Sequence, residues 1–411
     1  MKLTPLHIKE SICLVPQITF EVTQACNLNC AYCAYGRLYN SEIKRERKNL
    51  PVEYAIQIIK YLVSFWDSKQ DPSFSKQVYI SFYGGEPLLN IDFIKQVVAY
   101  VEGLNLTKRQ FVFSMTTNAT LLDKYIDYLV SKNFRLLISI DGNKENHSYR
   151  VTHNKNNSFD VVYRNVKAIQ EQYPLFFRDN VNFNAVLHKK NSVSDIFNFI
   201  NEEFDKNPTI GELTTVGIKP ESKAEFWETY QNKKESILLA NNTKTLKEKL
   251  FLETPEINQL ALYLHQYSQN VYNDYNELLF DSSETERLPT GTCIPFGKRM
   301  FITAEGGILA CEKIDQKYVL GNVDYSGVYL DFDEIAQIYN DMYSRLAKQC
   351  STCSIKNACQ QCIFTLENKD NPICRKYMDK TTFKRFEQYQ MDLLRENPYL
   401  YEKIMKEVII N

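Results

Sequence analysis

The eleven cysteines of this 411-residue chain fall into two groups. Three lie within residues 26–33 and seven within residues 293–374, Cys13 stands apart, and residues 34–292 contain none. The first residues lack the apolar stretch and small-residue cleavage site of a secretory signal, so we expect a cytoplasmic protein with reduced thiols. Clustered cysteines in a reducing compartment hold metals more often than they form disulfides. The pattern therefore predicts two metal-binding regions and disfavours a disulfide-stapled secreted protein.

Charge and hydropathy exclude two classes of partner. The chain has 49 Lys and Arg against 50 Asp and Glu, which leaves a formal net charge of -1. A protein that binds nucleic acid or an anionic membrane surface would carry an excess of positive charge. Because the sequence also contains no run of about 18 apolar residues, no membrane-spanning helix is predicted. We therefore expect neither nucleic acid nor a membrane as a partner.

Residues 17–220 alternate β-rich runs with amphipathic helical stretches. Strands are predicted at 17–23, 77–83, 111–117, 135–140, 181–188 and 213–218, and helices at 51–66, 91–101, 121–130, 159–170 and 193–204. Strands that alternate with helices indicate parallel βαβ units with right-handed crossovers. Six units are too few for a closed eight-stranded barrel, so we expect an α/β fold, a partial (β/α)6 TIM barrel. Its reactive groups should lie at the carboxyl ends of the strands.

The rest of the chain divides into four segments. Residues 1–16 form an N-terminal extension, and residues 221–290 are predicted to be a helical connector because their apolar residues recur at helical spacing. Residues 291–377 form the Cys-rich domain, and residues 378–411 are predicted to be a helical tail.

The first cysteine group reads Cys26-Asn-Leu-Asn-Cys30-Ala-Tyr-Cys33 and follows the first predicted strand. Three thiolates so close in sequence can hold one metal centre from a single loop. They are one short of the four that a structural zinc site or a fully ligated cubane cluster uses. One iron of such a cluster would keep an open position for chemistry. A zinc site with a distant fourth ligand, or unligated thiols, are the alternatives.

Small and polar residues follow the next predicted strands. They are Gly84-Gly85-Glu86-Pro87, Thr116-Thr117-Asn118 and Ser139-Ile140-Asp141-Gly142. Glycines let a ligand approach the backbone closely, and the Glu86 carboxylate can accept hydrogen bonds from an ammonium group. Such residues at successive strand ends suit one ligand bound across the mouth of the barrel.

Residues 17–218 resemble a radical S-adenosylmethionine (SAM) enzyme, because CxxxCxxC, GGEP and SxDG motifs occur in that family's order and spacing. The resemblance implies that Cys26, Cys30 and Cys33 ligate a [4Fe–4S] cluster whose fourth iron chelates the amino and carboxylate groups of SAM. The implied SAM contacts are Tyr32 beside the adenine, Gly84, Gly85 and Glu86 at the methionine, and Ser139 and Arg150 at the carboxylate or ribose. Asp141 is expected to brace the loop.

The second cysteine group comprises Cys293, Cys311, Cys350, Cys353, Cys359, Cys362 and Cys374. Seven thiols exceed one tetrahedral zinc site, and two zinc ions would need an eighth ligand, although the region contains no histidine. Two iron–sulfur clusters, one fully ligated and one with three protein ligands, fit this number.

The spacing of this group resembles the SPASM domain, whose pattern is Cys, GxxxxC, CxxCx5CxxxC and Cys. Gly306 and Cys311 match the second element, and the chain has one residue fewer than the pattern between Cys359 and Cys362. The resemblance implies a distal auxiliary cluster and a proximal one, hence three [4Fe–4S] clusters with SAM as cofactor. The distal ligands would be Cys350, Cys353, Cys359 and Cys374, and the proximal ligands Cys293, Cys311 and Cys362.

Sulfatase maturases of this class carry a further cysteine between the first two, and residues 294–310 contain none. The proximal cluster is therefore expected to be open or to be completed by a substrate thiol or Cys13, although a lone cysteine is more often a small buried hydrophobe. Glu312 stands where sulfatase maturases place a proton-accepting aspartate. It is a candidate proton acceptor after hydrogen abstraction, and an exposed strand-end residue is the alternative.

Together the resemblances imply a peptide maturase. Such an enzyme cleaves SAM reductively and uses the 5′-deoxyadenosyl radical to cross-link or oxidise a ribosomally made precursor peptide or protein. Its electron donor would be a flavodoxin- or ferredoxin-type protein. The nearest alternative is an anaerobic sulfatase-maturing enzyme that makes formylglycine, and the missing cysteine and Glu312 count against it. An alternative of another class, a non-catalytic iron–sulfur or zinc-binding protein, leaves Gly84-Gly85-Glu86-Pro87 unexplained.

Overall fold

The structure, a computed structural model, describes residues 2–39, 46–66, 77–104, 106, 109–267, 288–366 and 372–408. The chain forms two compact units. The sheet unit comprises Pro5–Lys249 and Ile294–Phe332, and the helical unit comprises Met1–Thr4, Leu250–Cys293 and Asp333–Asn411. No helix within the described ranges is both long enough and apolar enough to cross a bilayer.

A sheet of ten strands, counted over the described residues, forms the core of the sheet unit. The strands are β1 (Gln17–Thr23), β2 (Gln77–Gly84), β3 (Gln110–Thr117), β4 (Arg135–Ser139), β5 (Val181–Leu187), β6 (Thr209–Glu212), β7 (Met300–Ile302), β8 (Gly307–Leu309), β9 (Gly321–Val323) and β10 (Val328–Leu330). Strands β1 to β6 pair in parallel in chain order. The predicted α/β fold with a parallel sheet is confirmed.

The other edge of β1 carries strands that the sequence did not predict. Strand β7 pairs in parallel with β1, and β8, β9 and β10 continue the sheet as antiparallel neighbours. Each of these four strands has three residues. A segment this short shows no alternation that periodicity could detect.

Among the described residues of this part of the chain, one α-helix precedes β1, six lie on the crossovers between β1 and β6, and three follow β6. They are α1 (Pro5–Cys13), α2 (Val52–Trp66), α3 (Ile91–Glu102), α4 (Leu122–Ser131), α5 (Phe159–Gln172), α6 (Pro174–Asn180), α7 (Val193–Phe204), α8 (Lys223–Thr229), α9 (Lys233–Leu238) and α10 (Thr243–Leu250). In α2 the buried residues Ala55, Ile58, Ile59 and Leu62 recur at helical spacing, which gives one apolar face. Six of the seven residues of β1 are buried, as expected for a parallel strand with both faces covered.

The sixth strand lies earlier in the chain than predicted. The prediction of 213–218 is wrong, since β6 spans Thr209–Glu212. As an edge strand it buries only Ile210, so it lacks the apolar run that identified the other strands. The apolar residues Leu213 and Ile218 pack instead in a cluster with Tyr32, beside the first cysteine group.

The helical unit contains α11 (Pro255–Tyr267), α12 (Phe332–Thr352, whose first residue belongs to the sheet unit), α13 (Lys380–Glu396) and α14 (Tyr399–Glu407). Ile257, Leu260 and Leu264 of α11 pack against Leu400 and Ile404 of α14. The predicted connector and tail are thus helical where they are described, while residues 268–287 of the connector lie outside the described residues. The predicted domain boundaries stay a prediction.

Candidate functional site

The first cysteine group lies on a loop that leaves the carboxyl end of β1. The amides of Asn29 and Ala31 donate to the carbonyls of Val151 and Tyr149, at 2.6 and 3.0 Å. The Leu28 amide donates to Cys26 Sγ at 3.4 Å. The loop is therefore held by backbone contacts to residues 149–151 as well as by its own turns.

The three thiols of this loop are mutually close and partly buried. Burial is the main reason that the pKa of Cys26 rises to about 11 and that of Cys30 to about 12, and the neighbouring thiols raise both values further. Such thiols become thiolates when a cationic metal centre offsets burial and mutual repulsion. The donor set therefore fits a thiolate-held iron–sulfur centre. Over the described residues, no three His, Cys, Asp or Glu side chains are arranged around a single-ion position.

Two glycines allow the cysteine loop to lie against the end of β2. Gly84 has a φ of +134°, and a Cβ there would stand 2.4 Å from the Thr23 carbonyl oxygen. A Cβ on Gly85 would stand 2.0 Å from the Ala25 carbonyl oxygen. The sequence suggested that these glycines admit a ligand. The structure adds that Gly84 admits the backbone at the end of β1 and that Gly85 admits the backbone at the start of the cysteine loop.

We expect Gly85→Ala to destabilise the sheet unit by about 1–3 kcal/mol, because the added methyl must push Ala25 away. Displacing Ala25 also displaces the neighbouring Cys26, so iron retained after anaerobic reconstitution should fall. Thermal unfolding and iron analysis measure the two effects. Gly211→Ala is the matched control, since a Cβ there meets only the Ala185 carbonyl oxygen, at 4.0 Å. Equal behaviour of the two variants would contradict the prediction.

Glu86 is a fully buried carboxylate at the start of the short 3-10 helix Pro87–Asn90. It accepts hydrogen bonds from Thr117 Oγ1 and the Asn118 amide, both at 2.8 Å, and from the Leu88 amide at 3.2 Å. Burial raises its pKa to about 7, although these hydrogen bonds oppose the rise. Among the described residues no cationic side chain is paired with it. A buried carboxylate in this position is suited to an ammonium group of a ligand.

A buried ion pair lies beside the cysteine loop. Arg150 donates to both carboxylate oxygens of Asp141 at 3.0 Å, and the Tyr32 hydroxyl donates to the same carboxylate. The Val186 amide donates to Asp141 at 2.9 Å. Burial alone would raise the pKa of Asp141, but the Arg150 guanidinium and the hydrogen bonds outweigh it and hold that pKa well below its usual range. These contacts join the end of β4 to β5 and to the cysteine loop.

Two residues at this site were missed by sequence reasoning. His188 directly follows β5 and is fully buried, its ring centroid 5.5 Å from that of Tyr32 and its Nε2 3.7 Å from Asp141. Asn184 of β5 accepts a hydrogen bond from Ser139 Oγ at 3.0 Å. His188 follows the rule that found the other residues, a polar side chain at a strand end, whereas Asn184 lies inside a strand and gave no such signal.

Four cysteines of the second group line one cavity in the helical unit: Cys350, Cys353, Cys359 and Cys374. Burial raises the pKa of Cys350 to about 11, and the other three thiols add to the rise. Gly291 lies against this group, since a Cβ there would stand 1.9 Å from the Cys359 carbonyl oxygen. The donor set has the number and kind of ligands for a fully ligated iron–sulfur cluster.

The remaining three cysteines of the second group divide between the two units. Cys293 and Cys362 lie near each other in the helical unit, where Cys293 contributes to raising the pKa of Cys362 after burial. Cys311 belongs to the sheet unit. Its Sγ lies 3.4 Å from Glu312 Oε2, and Glu312 Oε1 accepts from Arg299 Nη1 at 2.5 Å. Glu312 is therefore ion-paired and partly buried, whereas the alternative from the sequence was an exposed residue at a strand end.

Residues 20–202, from β1 through most of α7, match the radical SAM superfamily. The chain contains a radical SAM domain. That superfamily uses a [4Fe–4S] cluster and SAM, and the matched segment carries Cys26, Cys30 and Cys33 together with Glu86.

Relatives of known name extend this finding. The chain is 28% identical over 183 residues to a cysteine-type anaerobic sulfatase-maturating enzyme of Clostridium novyi, which covers 43% of this chain and 46% of that protein. This alignment thus spans under half of the relative's length. The chain is also 23% identical over 387 residues to the radical SAM cyclopropyl synthase TigE of Paramaledivibacter caminithermalis. That alignment covers 89% of this chain and 71% of the relative.

A solved structure with a similar fold is described as native anSMEcpe with bound AdoMet and Kp18Cys peptide. The TM-score is 0.60, the identity is 16%, and the alignment covers 94% of this chain and 98% of the other. At this identity the likeness concerns the fold alone.

Proposed function

We propose that this chain is a radical SAM peptide maturase, which modifies a ribosomally made peptide or protein by cross-linking or oxidation. The observation that carries the proposal is that the chain has a second cysteine group in addition to a radical SAM domain, and that four thiols of this group line one cavity. A chain that only cleaved SAM would have no use for further redox centres. The comparisons support this reading, because one relative is a radical SAM cyclopropyl synthase, another is an anaerobic sulfatase-maturating enzyme, and a solved structure of similar fold holds a peptide.

In this proposal Cys26, Cys30 and Cys33 hold a [4Fe–4S] cluster at the carboxyl end of β1. Bound there with SAM, the cluster supplies a 5′-deoxyadenosyl radical that abstracts hydrogen from an unactivated carbon. Glu86 accepts hydrogen bonds from the ammonium group of SAM, and Gly84 and Gly85 give that group access to the backbone. Ser139 and Arg150 bind the carboxylate or ribose, and Tyr32 lies beside the adenine.

The second cysteine group holds the redox centres that complete the reaction. Cys350, Cys353, Cys359 and Cys374 hold the distal cluster, and Cys293, Cys311 and Cys362 hold the proximal one, for three [4Fe–4S] clusters in total. Glu312, ion-paired with Arg299 at 2.5 Å, takes up the proton released when the substrate radical is oxidised. A flavodoxin- or ferredoxin-type protein in the cytoplasm delivers the reducing electron.

The deciding experiment has two stages. Anaerobically reconstituted protein given SAM and dithionite should form 5′-deoxyadenosine, and co-expression with a short precursor peptide encoded nearby should change that peptide's mass. No iron and no 5′-deoxyadenosine would overturn the proposal in favour of a non-catalytic binding protein. Conversion of cysteine to formylglycine in a sulfatase peptide, without modification of the precursor, would favour the sulfatase-maturing alternative that the Clostridium relative suggests.

Cys353→Ala separates SAM cleavage from product formation. Because Cys353 lines the cavity of the distal group, its loss should remove about four irons per chain while the first cluster stays intact. 5′-Deoxyadenosine should still form, but the modified peptide should not. Ser351→Ala, an exposed position in the last turn of α12 and two residues before Cys353, is the control and should retain both activities. Full product formation by Cys353→Ala would contradict the role of this group.

A further inference from the structure

A fully buried histidine near the Asp141–Arg150 ion pair has no assigned role. His147 lies on the short 3-10 helix Asn146–Tyr149, and its ring packs edge-on against that of Phe159 at a centroid distance of 5.9 Å. Its hydrogen bonds lead to both members of the ion pair. The histidine is therefore placed to influence how Arg150 is held.

Both ring nitrogens of His147 have partners, and these partners fix the tautomer. The Asp141 backbone amide donates to Nδ1 at 3.3 Å, so Nδ1 carries no proton. Nε2 lies 3.0 Å from Ser158 Oγ, and it therefore carries the proton of the neutral ring and donates a hydrogen bond to that oxygen. Burial is the main reason that the pKa of His147 falls to about 4, so the ring is neutral at pH 7.

Ser158 connects the histidine ring to the backbone of Arg150. The Ser158 hydroxyl donates to the Arg150 carbonyl oxygen at 2.8 Å, and the Ser158 amide donates to the same oxygen at 3.1 Å. The Arg150 amide donates to the His147 carbonyl oxygen at 2.9 Å. Both backbone polar groups of Arg150 are thus bonded to His147 directly or through one serine.

The Arg150 side chain keeps hydrogen-bond donors for a ligand while it pairs with Asp141. Its Nε and Nη2 donate to the carboxylate at 3.0 Å, and no acceptor among the described residues takes Nη1. The guanidinium carbon lies 5.5 Å from the centre of the Tyr32 ring, which belongs to the cysteine loop. The two N–H groups of Nη1 are therefore available to a carboxylate or ribose oxygen beside that loop.

We propose that His147 is a positioning residue for SAM, because it ties the backbone of Arg150 to the backbone of Asp141 and so fixes the direction in which the Arg150 guanidinium meets SAM. The inference rests on the proposed function, in which Arg150 binds the carboxylate or ribose of SAM. The ion pair fixes the two side chains relative to each other but leaves them free to shift together. The His147 link removes this freedom, which matters because the guanidinium is a rigid fork that binds oxygens in a fixed geometry.

His147→Asn tests the inference, because the asparagine oxygen can still accept from the Asp141 amide while the side chain is too short to reach Ser158. The measurement is the Kd for SAM of the anaerobically reconstituted full chain by equilibrium dialysis. We expect unchanged iron content and a Kd that rises about 10-fold, as is typical when an outer-shell partner of a site is lost. His265→Asn is the matched control and should bind SAM as the parent chain does. His265 is a buried histidine of the helical unit, and neither of its ring nitrogens has a hydrogen-bond partner among the described residues.

Two further variants distinguish positioning from general support of the fold. Ser158→Ala removes one hydroxyl of the same link, so it should raise the Kd by a similar factor, and the double variant with His147→Asn should bind SAM as tightly as either single variant. Arg150→Lys already lacks the fork, so adding His147→Asn to it should cause no further rise. An equal rise with and without Arg150 would overturn the inference, because His147 would then act through some other group.

The remaining outcomes separate this inference from the proposed function. An unchanged Kd in folded His147→Asn would overturn the inference and leave the proposed function intact, and Ser158→Ala alone decides if His147→Asn does not fold. Loss of iron from a folded variant would also overturn it, because His147 would then act on the cysteine loop. A parent chain that carries iron but binds no SAM would overturn the proposed function and this inference with it.

Discussion

Replacing Cys26 by alanine should abolish 5′-deoxyadenosine formation. Cys26 is one of three thiols of the loop that follows β1. Its Sγ also lies 3.9 Å from Nδ2 of Asn118, whose backbone amide donates a hydrogen bond to Glu86. The substitution therefore removes a cluster ligand at the part of the loop that lies beside Asn118 and Glu86. Loss of an outer-shell partner of a metal site costs about 10–100-fold in affinity or activity, so loss of a ligand should exceed 100-fold.

The measurement is 5′-deoxyadenosine released per chain with SAM and dithionite, together with iron and zinc analysis of the reconstituted protein. Cys13→Ala is the matched control, because Cys13 is a buried cysteine of the same unit that lies outside both groups. It should form 5′-deoxyadenosine at the rate of the parent chain, because Cys13 is not among the ligands assigned to the first cluster. A Cys26→Ala chain that still formed 5′-deoxyadenosine would refute the assigned ligands, and stoichiometric zinc in place of iron would favour the zinc alternative.

The sequence predicted the sheet of the radical SAM domain because its central strands are long and apolar. Strand β1 was predicted with its observed bounds, Gln17–Thr23, and β2 differs from its prediction by one residue. The rule that parallel strands align their carboxyl ends then placed Glu86 and Asp141 near the cysteine loop, and they do lie beside it.

Features that depend on contacts distant in sequence were not predictable in this way. Strand β7 has three residues, and its pairing with β1, whose Ile18 lies 282 residues before its partner Met300, makes it a strand. The apolar residues at 213–218 gave a strand signal, yet Leu213 is buried against Tyr32 and Tyr39. A short apolar run is buried both when it forms a strand and when it is a loop packed against other side chains. Periodicity cannot distinguish these two cases.

For the buried network around Asp141 as well, the sequence predicted one part and the structure was needed for the other. Its place at the end of β4 was visible in the sequence, as was the expectation that it braces a loop. Its partners Val186 and His188 lie 45 and 47 residues further along the chain, and the bidentate geometry with Arg150 requires the folded arrangement. Sequence motifs therefore identified residues of the site, while the contacts among them came from the structure.

Asp141→Ala should cause the largest loss of stability in the sheet unit. The change leaves the buried Arg150 guanidinium without its carboxylate and removes the acceptor of Tyr32 and of the Val186 amide. Breaking a buried pair from one side costs about 3–5 kcal/mol. Because the folded-state pKa of Asp141 lies well below its ordinary value, its stabilisation is fully present above that ordinary value and is lost as the pH falls below it. The difference in the free energy of unfolding between Asp141→Ala and the parent chain should therefore be largest at pH 7 and should decrease in acid.

Chemical denaturation at neutral and acidic pH measures this effect, and Asp179→Ala is the matched control. Asp179 pairs with Arg178 at 2.7 Å on the surface, with 56% and 69% of the two side chains exposed. An exposed ion pair contributes little to stability because water and salt screen it. The Asp179→Ala variant should therefore unfold at nearly the same denaturant concentration as the parent chain. Equal losses from the two variants would show that Asp141 acts as an ordinary surface carboxylate.

Because Asp141 also holds Tyr32 of the cysteine loop, 5′-deoxyadenosine formation should fall with stability in Asp141→Ala and stay constant in Asp179→Ala.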